Sequence, residues 1–384
     1  MSKTIRPGGL RLAVIMGTRP EAIKLIPLVL EARRRASEFE ITLISTGQHR
    51  ELLDGVFQDF GVAPDIDLGL MTQDQTPASV LTRAIDALSP YLERINPDCV
   101  LVQGDTMTTL AGALAASYLK IPVAHIEAGL RSYDRDNPWP EETNRCLVTQ
   151  VSDYHFAPTE SSKANLLQEG VTPELCWVTG NTGIDALKTI LADPATASNS
   201  ISTAAAESKS ILLTCHRREN FGAPMESICD AVLQLLDAFP SADVLCPMHP
   251  NPQARSVVQA KLGTHPRARL VEAMSYADFS RAMAESSLIL TDSGGVQEEA
   301  PSLGRPVLVL RQTTERPEAV EAGVALLVGT DQEEIFKQAR RLLEDVEAYA
   351  EMARIENPFG DGHASKRILD TLQRHLEPSS PPTS

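Results

Sequence analysis

The stretch Leu10-Arg11-Leu12-Ala13-Val14-Ile15-Met16-Gly17-Thr18-Arg19-Pro20-Glu21 decides the fold. A short, nearly continuous apolar run enters Gly, and Pro20 then stands where a helix would begin, a position proline suits. An amphipathic stretch follows to Arg35. A strand that is apolar throughout, rather than alternating, is buried on both faces, which means a parallel sheet covered by helices on each side. The same unit recurs. Ile41–Ser45, Cys99–Val102 and Val123–Ile126 read as further buried strands, and helices are predicted at about Glu21–Arg35, Arg50–Phe60, Pro77–Ile95 and Thr106–Leu119. The rhythm pauses after Trp177–Asn181 and crosses the polar Ser/Ala/Thr-rich stretch Ala192–Ser208. It restarts with strands at Ile211–Cys215, Val244–Pro247, Leu288–Thr291 and Val307–Leu310. The pattern predicts an α/β protein of two Rossmann-like, doubly wound domains, residues 1–180 and 181–362, facing a central cleft. Ligands are expected there, outside the strand C-termini. Residues 377–384 read as a frayed tail.

Composition bounds the function. The 384 residues are 42% hydrophobic but only 4% aromatic, enough for two aliphatic, Ala-rich cores at about 100–200 residues per domain. The formal net charge of -16 repels phosphate backbones and anionic lipid, so nucleic-acid and membrane-surface binding are disfavoured. An anionic ligand must be held by local Arg, Lys and helix N-termini. The apolar run at Leu10–Met16 is too short for a leader or a membrane span. Six cysteines include no Cys-x-x-Cys, and Cys99 opens an apolar run, as expected of buried reduced thiols in a cytoplasmic protein. The histidines are scattered, so no metal site is expected. No Gly-x-Gly-x-x-Gly follows the first strand, so NAD is not expected either, and no cofactor is foreseen.

The chemistry-bearing residues sit where strands end. After the first strand, Arg19 and, one turn on, Lys24 suit a phosphate, although a plain turn with solvated charges reads equally well. Asp105 follows Gln103-Gly104, either as a helix N-cap or as a carboxylate facing the cleft. Glu127 ends an apolar strand, where a charge is costly unless paired or used. Glu141 opens a helix and stands four residues before Arg145, compatible with a plain surface pair. In the second half, His216-Arg217-Arg218 and His249 follow strands. Thr291-Asp292-Ser293-Gly294-Gly295 runs into a helix, where free N–H groups bind phosphate oxygens and glycine lets them approach. Glu299, in the second turn, is placed to accept from ribose hydroxyls. Glu315-Arg316-Pro317 follows the strand ending at Leu310.

Taken in order from Gly17-Thr-Arg-Pro-Glu21 through Thr182-Gly-Ile-Asp185 to Asn357-Pro-Phe-Gly-Asp-Gly362, the chain resembles the non-hydrolysing UDP-N-acetylglucosamine 2-epimerases. The resemblance implies the two-domain GT-B type fold, with a C-terminal helix at about 363–376 crossing back onto the first domain. It places Asp105, Glu127, Glu141, Arg145 and His216 on the family's catalytic positions. Arg19, Lys24, Ser293, Gly294, Gly295, Glu299 and Arg316 fall on its UDP-sugar contacts, Phe279 beside the uracil and Met274 where the loop backbone approaches the base. Some bacterial members are activated by a second UDP-N-acetylglucosamine, and Gln48, Arg217 and His249 match positions implicated there. A homodimer is implied as well. Cys215 stands before His216 where glycine is common, and Met107 interrupts a run of threonines.

The family reaction eliminates UDP to 2-acetamidoglucal and re-adds it while a proton arrives from the opposite face. It needs carboxylates around the sugar and cations on the leaving diphosphate, and acid/base work near neutral pH calls for a raised carboxyl pKa. The product, UDP-N-acetylmannosamine, would supply surface polysaccharide. Ser132-Tyr-Asp-Arg135 is similar to relatives acting on UDP-2,3-diacetamido-glucuronate, while Pro138-Trp-Pro140 is similar to the N-acetylglucosamine enzymes. A GT-B glycosyltransferase, a hydrolysing epimerase and a catalytically silent UDP-sugar-binding regulator are the other readings.

Overall fold

The computed structural model describes residues 9–47, 50–70, 75–193, 209–249 and 251–376. The chain divides into two compact units. One runs up to Thr189 and resumes at Phe359, and the other spans Ile190–Pro358.

In the first unit the strands are β1 (Leu10–Met16), β2 (Phe39–Ser45), β3 (Ile66–Asp67), β4 (Cys99–Gln103), β5 (Val123–Ile126), β6 (Tyr154–Ala157) and β7 (Cys176–Val178). They form one sheet in the order β3-β2-β1-β4-β5-β6-β7, each pair parallel. The helices between them are α1 (Arg19–Arg34), α2 (Arg50–Phe60), α3 (Pro77–Ile95), α4 (Met107–Tyr118), α5 (Glu141–Val151) and α6 (Glu160–Gln168), with α7 (Thr182–Ala192) after β7. Alternation along β1 explains its composition. Leu12, Val14 and Met16 enter one buried cluster with α1, while Ala13 and Ile15 enter another with α3 and α4. Both faces are dry, so both must be apolar.

In the second unit the elements are β8 (Lys209–Thr214), α8 (Ala223–Ala238), β9 (Ala242–Pro247), α9 (Pro252–Leu262), β10 (Ala268–Val271), α10 (Tyr276–Glu285), β11 (Leu288–Thr291), α11 (Gly294–Glu299), β12 (Val307–Val309), α12 (Pro317–Glu321), β13 (Ala325–Leu327), α13 (Gln332–Glu344) and α14 (Val346–Ala353). The sheet is again parallel, in the order β10-β9-β8-β11-β12-β13. The last helix, α15 (Ala364–Leu376), belongs to the first unit. Asp185 of α7 accepts the Ala364 and Ser365 N–H groups at 3.1 and 2.8 Å, satisfying donors that a helix start leaves open. Arg35, just past α1, pairs with Asp370 at 2.6 Å.

Each sheet reverses its strand order once, at β1/β4 in the first unit and β8/β11 in the second. Doubly wound sheets bind ligands at that reversal, beyond the strand C-termini, because the two flanking connections leave in opposite directions and open a crevice. No helix among the described residues is long and apolar enough to cross a membrane. All six cysteines are free, and all but Cys146 are buried.

Candidate active site

In the first unit, the loops after β1, β4 and β5 carry Arg19, Asp105 and Glu127. Gly17 begins the first of these, but not for the reason a tight turn suggests. Its φ is not positive; instead a Cβ there would stand 2.2 Å from Thr46 Oγ1 and 2.3 Å from Thr108 Oγ1, so packing excludes any side chain. Glu21 then turns back. Its carboxylate accepts the Gly17 and Thr18 N–H groups at 3.0 and 2.7 Å and the Thr106 and Thr109 hydroxyls at 2.7 and 3.0 Å. Burial pushes the Glu21 carboxyl pKa up, against the lowering effect of those donors. One carboxylate therefore ties together the two loops that flank the order reversal.

Asp105 is not the N-cap of α4. Thr106 takes that role, accepting the Thr109 N–H at 3.1 Å, which leaves the Asp105 side chain for another partner. That partner is Arg145 of α5, and Asn144 donates to the Asp105 carbonyl at 2.9 Å. Gly104 is held from behind by His125, whose Nε2 lies 2.7 Å from its carbonyl. Burial drives the His125 pKa down to about 3, so the ring stays neutral. Arg145 also lies 3.4 Å from Glu142, so it does not form the surface pair with Glu141 that their spacing allows. Glu142 is buried and accepts the Ser132 and Tyr133 N–H groups at 2.9 and 3.0 Å. Glu141, the first residue of α5, is half-buried.

Glu127 sits past β5 with φ 61°, a left-handed conformation costly for a residue with a side chain. Lys24 of α1 holds both its oxygens, at 2.7 and 2.6 Å, and Gln103 at the end of β4 donates to Oε2. Lys24 is thus paired with a carboxylate at the end of β5. Arg19 is half-buried at the start of α1.

In the second unit, His216 follows β8 and Ser293-Gly294-Gly295 follows β11, on the two sides of the reversal. Neither Gly294 nor Gly295 has a positive φ. A Cβ on Gly294 would come no nearer than 3.8 Å, to Arg316 and then, at 3.9 Å, Arg217, while one on Gly295 would meet only Ser293 Oγ at 4.0 Å. Neither backbone conformation nor packing demands glycine here, in contrast to Gly17. Two guanidinium groups face a bare helix start, an arrangement suited to a phosphate. Arg316 Nε donates to the buried Glu298, and Arg217 lies 3.9 Å from Glu315. Glu299, the last residue of α11, is buried. Met274 and Phe279, in the loop after β10 and on α10, are half-buried. The His249 ring stacks on His216, centroids 5.4 Å apart and planes 18° apart. Gln48 lies outside the described residues.

The sequence did not single out Glu21, Gln103, Glu142, Asn144, Asn220 or Asp292. All are buried, and all lie next to or within the motifs that were read. The signal was a polar side chain at a strand end or on an inward helix face, where burial demands partners.

Two parallel sheets with polar groups gathered at their order reversals define a GT-B type protein. The glycotransferase of kitacinnamycin, only 13% identical, has the same fold at a TM-score of 0.67 over 97% of this chain and 100% of its own. The chain belongs to the UDP-N-acetylglucosamine 2-epimerase family, whose pattern matches residues 31–373. The UDP-N-acetylglucosamine 2-epimerase of Bacillus subtilis (strain 168) is 47% identical over 366 residues, 95% of this chain and 96% of that one. The crystal structure of the Neisseria meningitidis UDP-GlcNAc 2-epimerase bound to UDP-GlcNAc is 46% identical. It superposes with a TM-score of 0.87 over 95% of this chain and 100% of that one.

Proposed function

We propose that the protein interconverts UDP-N-acetylglucosamine and UDP-N-acetylmannosamine by inverting carbon 2, without net hydrolysis. Beyond family membership, one observation carries the reading: two carboxylates at adjacent strand ends, Asp105 and Glu127, are each bound to a cation of a flanking helix, Arg145 and Lys24.

The carbon-2 proton is not adjacent to a carbonyl carbon, so elimination comes first. A carboxylate takes that proton, carbons 1 and 2 become doubly bonded, and the carbon 1–oxygen bond breaks with its electron pair leaving on the UDP β-phosphate. Re-addition reverses the electron flow, with a proton delivered from the opposite face. Asp105, Glu127 and Glu141 share the acid/base work, and Arg145 orients Asp105. Arg19 adds a cation for the sugar nucleotide. His216, Arg316 and the N–H groups at Ser293–Gly295 stabilise the departing diphosphate. Glu299 accepts from the ribose hydroxyls, and Met274 and Phe279 flank the uracil. Arg217 and His249, with Gln48, bind a second UDP-N-acetylglucosamine where activation operates. The working form is a cytoplasmic homodimer without metal or cofactor, and its product feeds surface polysaccharide.

The test is a proton NMR time course with UDP-N-acetylglucosamine in deuterated water. UDP-N-acetylmannosamine carrying deuterium at carbon 2, with no free sugar, is the expected result. Free N-acetylmannosamine with UDP would show hydrolysis instead. Turnover of the diacetamido-glucuronate analogue alone would move the substrate, and an unchanged spectrum with both would end the epimerase reading.

A further inference from the structure

Asp292, the first residue past β11, is completely buried. Its Oδ2 accepts the His216 N–H at 2.9 Å, the Arg217 N–H at 2.8 Å, the Asn220 amide at 2.9 Å and the Cys215 thiol at 3.2 Å. Asn220 also donates to the Leu310 carbonyl at 3.1 Å, bringing in the loop after β12. Oδ1 receives only a second, longer share of the His216 N–H, at 3.1 Å, and lies 3.3 Å from Nδ1 of the His216 ring. The two oxygens therefore have different work. Oδ2 knits the loops on either side of the order reversal, and Oδ1 faces a titratable ring.

We propose that Asp292 is the positioning residue of His216: it keeps one proton on Nδ1 of the neutral ring and favours uptake of a second, from solvent, on Nε2 as the anionic nucleotide binds, so that the imidazolium Nε2–H donates to the diphosphate. A carboxylate behind a histidine selects its tautomer and stabilises its charged form by this means. The proposal rests on the role given above to His216. The groups that face the ring are Asp292, His249 and Arg217. Burial lowers the His216 pKa, His249 and Arg217 lower it further, and Asp292 alone of the three opposes them. Removing the carboxylate must therefore move the ring's titration midpoint down.

Asp292→Asn separates this role from scaffolding. With its amide oxygen in the Oδ2 place, asparagine still accepts from His216 N, Arg217 N, Asn220 and Cys215. Its NH2 then stands where Oδ1 was, and the neutral ring can face an NH2 only with a lone pair. The proton must move to Nε2. In nitrogen-15 histidine NMR, the wild type is expected to carry the neutral proton on Nδ1, and the variant on Nε2 with a midpoint at least about one pH unit lower. UDP affinity is expected to fall about tenfold and kcat about a hundredfold, with the melting temperature changed by only about a few degrees. A neutral wild-type ring protonated on Nε2 overturns the proposal without recourse to any variant. An Asp292→Asn protein with an unchanged tautomer and midpoint overturns it equally. Both readouts are independent of turnover. His216→Asn epimerising at full rate would sink the role of His216 itself, and with it the purpose assigned to Asp292.

Discussion

The order reversals of the two sheets are built alike and used differently. At each, one buried carboxylate joins the two flanking loops: Glu21 accepts donors from both in the first unit, and Asp292, standing in one loop of the second, accepts donors from the other. Glu21 is surrounded by backbone N–H groups and hydroxyls, none of which titrates near neutrality. Asp292 accepts from backbone N–H groups, an amide and a thiol and, in addition, faces an imidazole. The glycines differ too: Gly17 is dictated by neighbouring threonines, whereas Gly294 and Gly295 are not dictated by the protein at all. A residue that the fold requires speaks of stability. A residue that the fold does not require, set before a helix start and two guanidinium groups, speaks of a ligand.

The largest expected effect would break this division of labour if it failed. Glu127→Gln should lower kcat about a thousandfold while UDP affinity, measured by calorimetry, stays within about twofold. An equal collapse of UDP binding would mean that Glu127 serves nucleotide binding rather than proton transfer.

Acid should tax the first unit through two buried rings. His125 and His155 are held neutral by burial, with pKa values down to about 3 and about 4. Below the unfolded value of about 6.5 the unfolded chain binds protons these rings refuse, so stability falls as pH drops. Each ring costs about 1.4 kcal/mol per pH unit until its folded pKa is reached. Thermal melts between pH 7 and 5 should show the loss, and a His155→Asn variant should show a smaller slope. Equal slopes would remove His155 from the account.

The glycine contrast predicts opposite signs. Gly17→Ala should destabilise by about 1–3 kcal/mol, because Thr46 and Thr108 must move. Gly294→Ala should stabilise by up to about 0.5 kcal/mol through the unfolded chain, yet weaken UDP about tenfold. A Gly294→Ala protein that binds UDP normally would dismiss the helix start as a phosphate site.

The smallest effect sharpens the comparison of the two carboxylates. In Glu21→Gln the amide oxygen can keep the Gly17 and Thr18 N–H groups while its NH2 donates to hydroxyls that rotate to accept. Stability at pH 8 should stay within about 1 kcal/mol of wild type. The sign with pH follows from the raised Glu21 pKa. The folded protein binds that proton more readily than the unfolded one, so wild type gains stability as pH falls through the folded value, and the variant gains none.

The two-domain α/β class, the parallel sheets and the longer buried strands were legible because burial on both faces leaves an unbroken apolar run. The strands Ile66–Asp67, Tyr154–Ala157, Cys176–Val178, Ala268–Val271 and Ala325–Leu327 were not; most of them keep residues that are only half-buried or exposed. Among these, Tyr154–Ala157 carries a buried histidine, so its composition hides its place in the sheet. The epimerase family was legible from motifs in order. The partners of the motif residues were not: spacing allowed Asp105 to cap α4 and Glu141 to pair with Arg145, and the structure gives the cap to Thr106 and Arg145 to Asp105 and Glu142.

By itself, the sequence determined that the chemistry-bearing residues stand at or just past the ends of the main buried strands, because hydrophobic patterning is local and repeats with the period of the backbone. Only the tertiary structure decided which of those ends are stapled by Glu21 and Asp292, and which carboxylate each cation holds. Such pairings join distant positions, 103 residues apart for Lys24 and Glu127 and 335 for Arg35 and Asp370, and geometry rather than spacing selects among equally charged partners.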